Sequence, residues 1–227
     1  MDNKDDKNNV KTTLDNEPDG NIQPNDELYA NIPTDDALYA KESVLRYSTQ
    51  RYTYADYASW DDENRYELID GQAYLMSAPS MAHQKISGAL HNQLYNFLKG
   101  KPCEVFYAPF DVCLFGLGDY DYTVVQPDLL VICDMSKLDD RRCNGAPDMA
   151  IEILSPSNRR HDTVLKFNKY LQAGVREYWI VDPEAKSVQV HTLVGGGYTT
   201  TTFDENQAAP VHVIDGLWID LKEVFNF

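Results

Sequence analysis

Two carboxylates interrupt stretches of sequence that are otherwise apolar. Asp128 lies in the run VVQPDLLVI, and Glu152 lies in AIEILSP. A buried carboxylate is costly unless it is paired, hydrogen-bonded or bound to a metal, and two on neighbouring strands also repel each other. A divalent cation between them resolves both problems. The pattern predicts that Asp128 and Glu152 converge on one cation, although Asp128 could instead cap a turn and Glu152 could pair with an arginine.

A third acidic residue, Glu67, stands between Tyr66 and Leu68 in a short predicted strand. Side chains alternate between the two faces of a strand, so Glu67 shares a face with Ile69. Glu67 therefore either points inward with Ile69, which would bring it near the other two acids, or faces solvent.

A predicted helix after Glu152 carries Asp162, Lys166 and Tyr170 at intervals of four residues, which places them on one helix face. A lysine directed at a bound metal and a scissile phosphate could stabilise the negative charge that develops during hydrolysis. The alternative is an exposed Asp162–Lys166 ion pair, which contributes little to stability.

The elements that must position these residues predict an α/β domain with a mixed central sheet and helices packed on it. The Asp70-Gly71 pair is a strong two-residue hairpin signal. Helical periodicity and turn residues predict a short helix capped by Thr53 and helices over 83–99 and 162–173. Apolar and β-branched runs predict strands over 66–69, 72–76, 104–115, 123–133, 149–154, 175–181, 187–193 and 198–203.

Residues 1–45 differ in composition from the rest of the chain. They are rich in Asp, Asn and Pro and poor in periodic apolar residues, which predicts a disordered acidic tail before a domain over 46–227. The similar pieces Asp26–Ala30 and Asp36–Ala40 lie in this tail. The tail is either an inert solubilising segment or, if these pieces are docking motifs, the binding part of a structural interaction protein.

The formal net charge of −16 argues against broad, nonspecific coating of nucleic acid. Binding to nucleic acid would therefore need a local cleft, for which the sequence offers Lys85, Arg159, Arg160 and Lys166. No apolar run reaches the length of a membrane span, and the N-terminus lacks the apolar core of a secretory leader, so we expect a cytoplasmic protein. In that compartment Cys103, Cys113, Cys133 and Cys143 are expected to be free thiols.

Taken in order, several segments resemble the Uma-type restriction endonuclease family, a branch of the PD-(D/E)xK nucleases. The resemblance covers about residues 50–220. The segments that carry it are Tyr66–Gly71, Ser80 with His83, Val125–Asp128, Glu152–Ser157, the trio Asp162, Lys166 and Tyr170, and Gly174–Pro183.

This resemblance implies a restriction-endonuclease-like fold and a Mg²⁺ or Mn²⁺ site with Asp128 and Glu152 as metal ligands. It further implies that Glu67, Asp128, Glu152 and Lys166 are catalytic. The superfamily pattern has a lysine two residues after the second acid, where this chain has Leu154. Lys166 resembles a relocated catalytic lysine, with Lys169 as the second choice.

The implied activity is metal-dependent endonuclease cleavage of nucleic acid, chiefly DNA. The residues expected to contact substrate are Gln126, by its shared face with Asp128, His83 at a helix start where N–H groups favour phosphate, Arg159 and Lys169. His83 could equally be a capping or core histidine. A homodimer, with exposed aromatic side chains around Tyr178 and Trp179 at its interface, is a further expectation. The alternative function is a catalytically inactive nuclease-fold module that binds nucleic acid or a protein partner.

Overall fold

The structure, a computed structural model, describes residues 50–156 and 159–226. The predicted acidic tail over 1–45, its boundary and its two similar pieces lie outside the described residues. The helices are α1 (Tyr54–Ala58), α2 (Met81–Leu98), a π-helical segment (His161–Lys166) that continues directly into α3 (Phe167–Ala173), and α4 (Leu221–Val224), with 3₁₀ turns at Gly118–Tyr120 and Met135–Lys137. No helix in these described ranges is long and apolar enough to cross a membrane.

Thirteen strands are described. They are β1 (Tyr66–Ile69), β2 (Gln72–Leu75), β3 (Glu104–Tyr107), β4 (Asp111–Cys113), β5 (Val124–Val125), β6 (Leu129–Ile132), β7 (Arg142–Asn144), β8 (Met149–Ile153), β9 (Glu177–Asp182), β10 (Ser187–Val194), β11 (Gly197–Asp204), β12 (Ala208–Pro210) and β13 (Trp218–Asp220).

Two mixed sheets contain most of these strands. The six-stranded sheet has the order β11-β10-β9-β8-β6-β3, and only its β8–β9 pair is parallel. The five-stranded sheet has the order β2-β1-β5-β4-β7, and its β4–β7 pair is parallel. Strands β12 and β13 form a separate pair. The predicted α/β class with mixed sheet and flanking helices is confirmed.

Local signals in the sequence account for several element ends. Thr53 forms a capping box with Asp56 at the start of α1. The turn between β1 and β2 has positive φ at both central residues, 53° at Asp70 and 82° at Gly71, as the predicted hairpin requires. Gly174 ends α3 in the left-handed conformation, with φ of 79°.

The prediction of single strands over 104–115 and 123–133 is wrong. Each run is divided between the two sheets: β3 and β6 belong to the six-stranded sheet, while β4 and β5 belong to the five-stranded sheet. Pro109 lies in the first break and Pro127 in the second. A proline has no N–H to donate to a β-ladder, so both positions suit the passage from one sheet to the other. The second passage leaves Asp128 at the entrance to β6.

Alternate residues of β8 face two different cores. Met149, Ile151 and Ile153 pack in the core that contains α2 and the C-terminal segment. Ala150 and Leu154 pack in the core between the six-stranded sheet, α3 and the five-stranded sheet. Glu152 lies between Ala150 and Leu154 on this second face, so the fold directs its carboxylate toward the π-helical segment.

The proposed exposure of Tyr178 and Trp179 is wrong, because both side chains are fully buried, one in each core. A strand covered on both faces, as β9 is, buries successive aromatic residues rather than exposing them. These two residues therefore supply no dimer interface.

The expectation of four free thiols is also wrong. Cys103 and Cys133 form a disulfide, whereas Cys113 and Cys143 are buried free thiols. The pairing of Glu104 with Ile132 in the β3–β6 ladder extends by one residue to place Cys103 opposite Cys133. Because the sequence did not reveal this register, it could not reveal the proximity of the two sulfurs.

Candidate active site

Asp128 and Glu152, which the sequence predicted to share one cation, are neighbours across two strands. Leu129 pairs with Ile151 in the antiparallel β6–β8 ladder, so the next step of the register places Asp128 opposite Glu152. The backbone N–H of Ile153 donates to Asp128 Oδ2 over 2.8 Å and fixes this carboxylate at the edge of β8. Both acids line one cavity of about 280 Å³. They therefore face the same side of the sheet.

Ionisable side chains are concentrated on the wall of this cavity, which we call the acidic cavity. Its charged and titratable lining consists of Arg65, Glu67, His83, Asp128, Glu152, His161, Asp162, Lys166 and the phenol of Tyr74 and Tyr107. Strands β1 and β8, the start of β6, the first turn of α2 and the π-helical segment each contribute to it. The fold thus brings together residues that are up to about one hundred positions apart in sequence.

Lys166 is the central cation of the acidic cavity. Its Nζ lies 2.8 Å from Oε1 of Glu152, 2.8 Å from Oε1 of Glu67 and 3.4 Å from Oδ1 of Asp162. Its side chain is only 2% exposed. Burial by itself would lower the pKa of Lys166, but the three carboxylates outweigh burial and hold the pKa well above its usual value. The Asp162–Lys166 pair therefore exists, but it is buried rather than exposed.

Glu67 points inward and remains ionised. Its Oε1 accepts the backbone N–H of Gln126 over 2.7 Å, and its Oε2 lies 3.2 Å from His161 Nε2. Burial raises the pKa of Glu67, but Lys166 and His161 overcome that effect and lower the pKa to about 2. Glu67 thus provides a permanent negative charge opposite Lys166.

Glu152 and Asp162 are less well compensated. Burial is the largest effect on both; it raises the pKa of Glu152 well above its usual value and that of Asp162 to about 6, against the lowering effect of Lys166. Neighbouring carboxylates raise both values further. Apart from the ionic contact of 3.4 Å between Oδ1 and Lys166, neither buried carboxylate oxygen of Asp162 forms a hydrogen bond among the described residues. The cavity therefore has an excess of carboxylates over cations.

Neutral donors and histidines complete the surroundings. The hydroxyl of Tyr170 donates to Glu152 Oε1 over 2.7 Å, and that of Tyr178 donates to the backbone oxygen of Asp162 over 3.0 Å. His83 lies in the first turn of α2, where its Nε2 is 3.0 Å from Asp128 Oδ2. The position of His83 places it against a predicted metal ligand, in a helix whose N-cap is Ser80.

Three residues expected to contact substrate lie elsewhere. The side chain of Gln126 hydrogen bonds with Arg65, Asp111 and Tyr57, and it is not part of the cavity lining. Arg159 pairs with Asp182 and Glu184, and Lys169 pairs with Asp70.

The cationic lining also differs from the cleft proposed from sequence. Lys166 lines the cavity, but Lys85, Arg159 and Arg160 do not. Arg65 and His161 also line the cavity, and neither was predicted from the sequence to belong to the site. Arg65 immediately precedes the strand that contains Glu67, and only knowledge of the sheet pairing would have revealed that its side chain reaches Gln126.

The donor set of the acidic cavity fits a hard divalent cation. Carboxylate oxygens are the protein ligands that Mg²⁺ prefers, and a buried carboxylate excess requires a proton or a cation. Within the described ranges, no group of three or more His, Cys, Asp or Glu side chains is arranged so that it could hold a metal ion. Mg²⁺ commonly takes one or two protein carboxylates and fills its other positions with water or phosphate oxygens, so two ligands from the chain are sufficient.

Comparison with known proteins agrees with this geometry. The family model Uma2, "Putative restriction endonuclease", matches residues 54–222. The chain belongs to the Uma2 family. The match includes every residue assigned to the acidic cavity, so the family and the resemblance inferred from sequence are confirmed.

Two further proteins are similar to this Uma2 chain. "Uncharacterized protein slr1290" of Synechocystis sp. (strain ATCC 27184 / PCC 6803 / Kazusa) is 27% identical over 139 residues, which cover 60% of this chain and 71% of that protein. A crystal structure from Anabaena variabilis, titled as a putative nuclease belonging to DUF820, superposes with a TM-score of 0.62 and 21% identity. The superposition covers 77% of this chain and 97% of the other, and it shows a shared fold.

Proposed function

We propose that this Uma2 chain is a divalent-metal-dependent endonuclease that hydrolyses phosphodiester bonds in DNA. The observation that carries the proposal is the convergence of Asp128, Glu152 and Lys166 on one cavity, with Glu67 as a further acid. Membership of the Uma2 family and the similarity to a crystal structure described as a nuclease support the same activity.

Asp128 and Glu152 would hold Mg²⁺ or Mn²⁺. When bound, such an ion polarises a phosphoryl oxygen and lowers the pKa of coordinated water. Oxygen ligands without cysteine suit these ions better than zinc.

Lys166 would stabilise the negative charge that develops on the phosphoryl group. Glu67 and Glu152 hold its ammonium at the wall of the acidic cavity. This arrangement offers a physical substitute for the lysine that the superfamily pattern has at the position of Leu154. Leu154 itself packs in the apolar core, where a lysine would lose its hydration.

His83, together with the backbone N–H of Ile153, would hold Asp128 in its orientation. Both contacts reach Asp128 Oδ2, one from a ring nitrogen and one from a backbone N–H. A fixed carboxylate loses less conformational freedom when it binds a cation. We also propose a cytoplasmic location for the enzyme. The family resemblance supports a homodimer, which light scattering on the purified chain would test.

A cleavage assay tests the proposed activity. Supercoiled plasmid and linear DNA are incubated with the wild-type chain, with Glu152→Gln and with Glu184→Gln, in Mg²⁺, Mn²⁺ or EDTA. Glu184 is the matched control, because it is an exposed glutamate that pairs with Arg159 outside the cavity.

We expect metal-dependent nicking by the wild type and the Glu184 variant, and its loss in Glu152→Gln. Nicking that survives in Glu152→Gln would contradict the assignment. DNA binding by a folded wild type that never cleaves would instead support the noncatalytic binding module.

A further inference from the structure

A second cavity lies beside α1, away from the acidic cavity. Its volume is about 430 Å³, and four aromatic residues and two aspartates are part of its lining: Tyr54, Tyr57, Trp60, Tyr66, Asp62 and Asp111. We call it the aromatic cavity. None of these residues lines the acidic cavity. The one cationic side chain in its lining is Arg141.

The aromatic rings around this cavity pack edge to face and are not stacked in parallel. Trp60 lies nearly perpendicular to Tyr57 and to Tyr66, with interplanar angles of 85° and centroid separations of 5.7 and 5.1 Å. Mutually perpendicular rings can present electron-rich faces and edges around one space, and such faces attract cations. The same part of the chain already uses this attraction, since the guanidinium of Arg142 lies 4.1 Å from the ring centre of Tyr54.

Asp111 adds an anion to this aromatic box. Its Oδ1 accepts from Gln126 Nε2 over 2.8 Å and lies 3.4 Å from the hydroxyl of Tyr57, and both donors are neutral. Burial raises the pKa of this carboxyl group. Among the described residues Asp111 makes no direct ion pair: Arg142, which pairs with Asp119 and Asp139, and Arg65 only lower the pKa of its carboxyl group from a distance. A cation in the cavity would make the direct ion pair that no described lysine or arginine makes with Asp111.

We infer that the aromatic cavity binds an organic cation, an alkylammonium or guanidinium group, between Trp60, Tyr57 and Tyr66 with Asp111 as its counterion. A free small molecule and a lysine or arginine side chain of a partner protein share this chemistry. A nucleobase could also stack on the rings, but Asp62 and Asp111 would repel its phosphate. The inference does not depend on the proposed nuclease activity.

Isothermal titration calorimetry with two probes tests the inference. The probes are choline and 3,3-dimethyl-1-butanol, in which a neutral carbon replaces the charged nitrogen of choline. The two probes share their shape and differ in charge, so we expect choline to bind about tenfold more tightly or better. Asp111→Asn should weaken choline binding about tenfold, because asparagine keeps an oxygen for Gln126 and Tyr57 but loses the charge. Asp61→Asn, an exposed neighbour of the cavity loop, controls for the overall change in charge.

The inference is overturned if the two probes bind equally, if Asp111→Asn binds choline like the wild type, or if deoxynucleoside monophosphates bind and choline does not. If circular dichroism shows that Asp111→Asn is unfolded, Trp60→Leu replaces it in the choline titration, because Trp60 is a partly exposed residue of the cavity lining. A short arginine- or lysine-containing peptide is titrated in parallel. Tighter binding of the peptide identifies a protein side chain as the natural cation, and tighter binding of choline identifies a small molecule.

Discussion

Replacing Lys166 with methionine should destabilise the fold strongly. Methionine preserves much of the side-chain length but removes the charge that contacts Glu67, Glu152 and Asp162. Removing one partner of a buried ion pair typically costs about 3–5 kcal/mol, because the other partner remains buried and uncompensated. We expect a loss of this size in the free energy of unfolding at pH 8, measured by urea denaturation.

The pH dependence of this loss identifies its cause. Without the ammonium, the three carboxylates can become neutral only by binding protons, and the folded protein binds them more readily than the unfolded chain does. Burial raises the pKa of Asp162 to about 6 in the wild type although Lys166 lowers it, so this pKa is higher in the variant. The penalty should therefore be largest at alkaline pH and should already shrink as pH falls toward 6. A penalty that stays constant with pH would indicate lost packing rather than lost charge.

Lys169→Met is the matched control. Lys169 lies on the same helix and pairs over 2.7 Å with Asp70, whose side chain is 59% exposed. The Lys169 side chain is 15% exposed, but its carboxylate partner remains hydrated, so the pair should contribute only about 1 kcal/mol and this variant should unfold close to the wild type. Equal stabilities of Lys166→Met and Lys169→Met would refute the role of Lys166 as the buried counterion.

Three further predictions concern pH and backbone. Mg²⁺ affinity, measured by titration calorimetry, should rise as pH increases through about 6, because Asp162, with a pKa of about 6, then becomes a carboxylate beside the metal ligands. The raised pKa of Glu152 adds to this rise, because a proton on this ligand competes with the metal; affinity that does not change between pH 5 and 7 would argue against the role of Asp162. Burial lowers the pKa of His191 from 6.5 to about 4. As pH falls from about 6.5 to 4, the unfolded chain therefore binds a proton at this histidine before the folded protein does, and the free energy of unfolding decreases by at most roughly 3 kcal/mol. His191→Phe should remove that part of the acid sensitivity in urea titrations, and an unchanged pH profile would contradict the assignment. Gly71→Ala should lower the free energy of unfolding by more than about 1 kcal/mol, because its φ is +82° and an added Cβ would lie 2.7 Å from Arg51 Cβ. Gly195→Ala should lower it less, because its φ of +60° is similarly strained but the space around it is open. Equal losses would show that backbone strain alone, and not the contact with Arg51, determines the effect.

The sequence predicted the parts of the fold that depend on local signals. The hairpin at Asp70-Gly71, the cap at Thr53 and the end of α3 at Gly174 each follow from the conformations those residues favour. Asp128 and Glu152 were identifiable because burying a charge is unfavourable, so a carboxylate inside an apolar run indicates a special role.

What the sequence missed depends on which strands pair. The division of 104–115 and 123–133 between two sheets, the Cys103–Cys133 bond and the Arg65–Gln126 contact all follow from register and sheet order, which no local pattern specifies. The same reason explains why Gln126 turns away from the acidic cavity. The sequence placed Gln126 and Asp128 on one face because side chains alternate along a continuous strand. The strand is interrupted at Pro127, so this alternation does not hold between the two residues.

Metal binding by the carboxylate pair tests the central claim most directly. Mn²⁺ is titrated into the wild type, Asp128→Asn, Glu152→Gln and the distant control Glu184→Gln at pH 7.5, with binding followed by electron paramagnetic resonance and folding followed by circular dichroism. The wild type and the Glu184 variant should bind about one equivalent of Mn²⁺ with similar affinity, and each cavity variant should weaken binding by tenfold or more while remaining folded. Folded Asp128→Asn and Glu152→Gln proteins that bind Mn²⁺ like the wild type would contradict the assignment of this cavity as a metal-dependent active site.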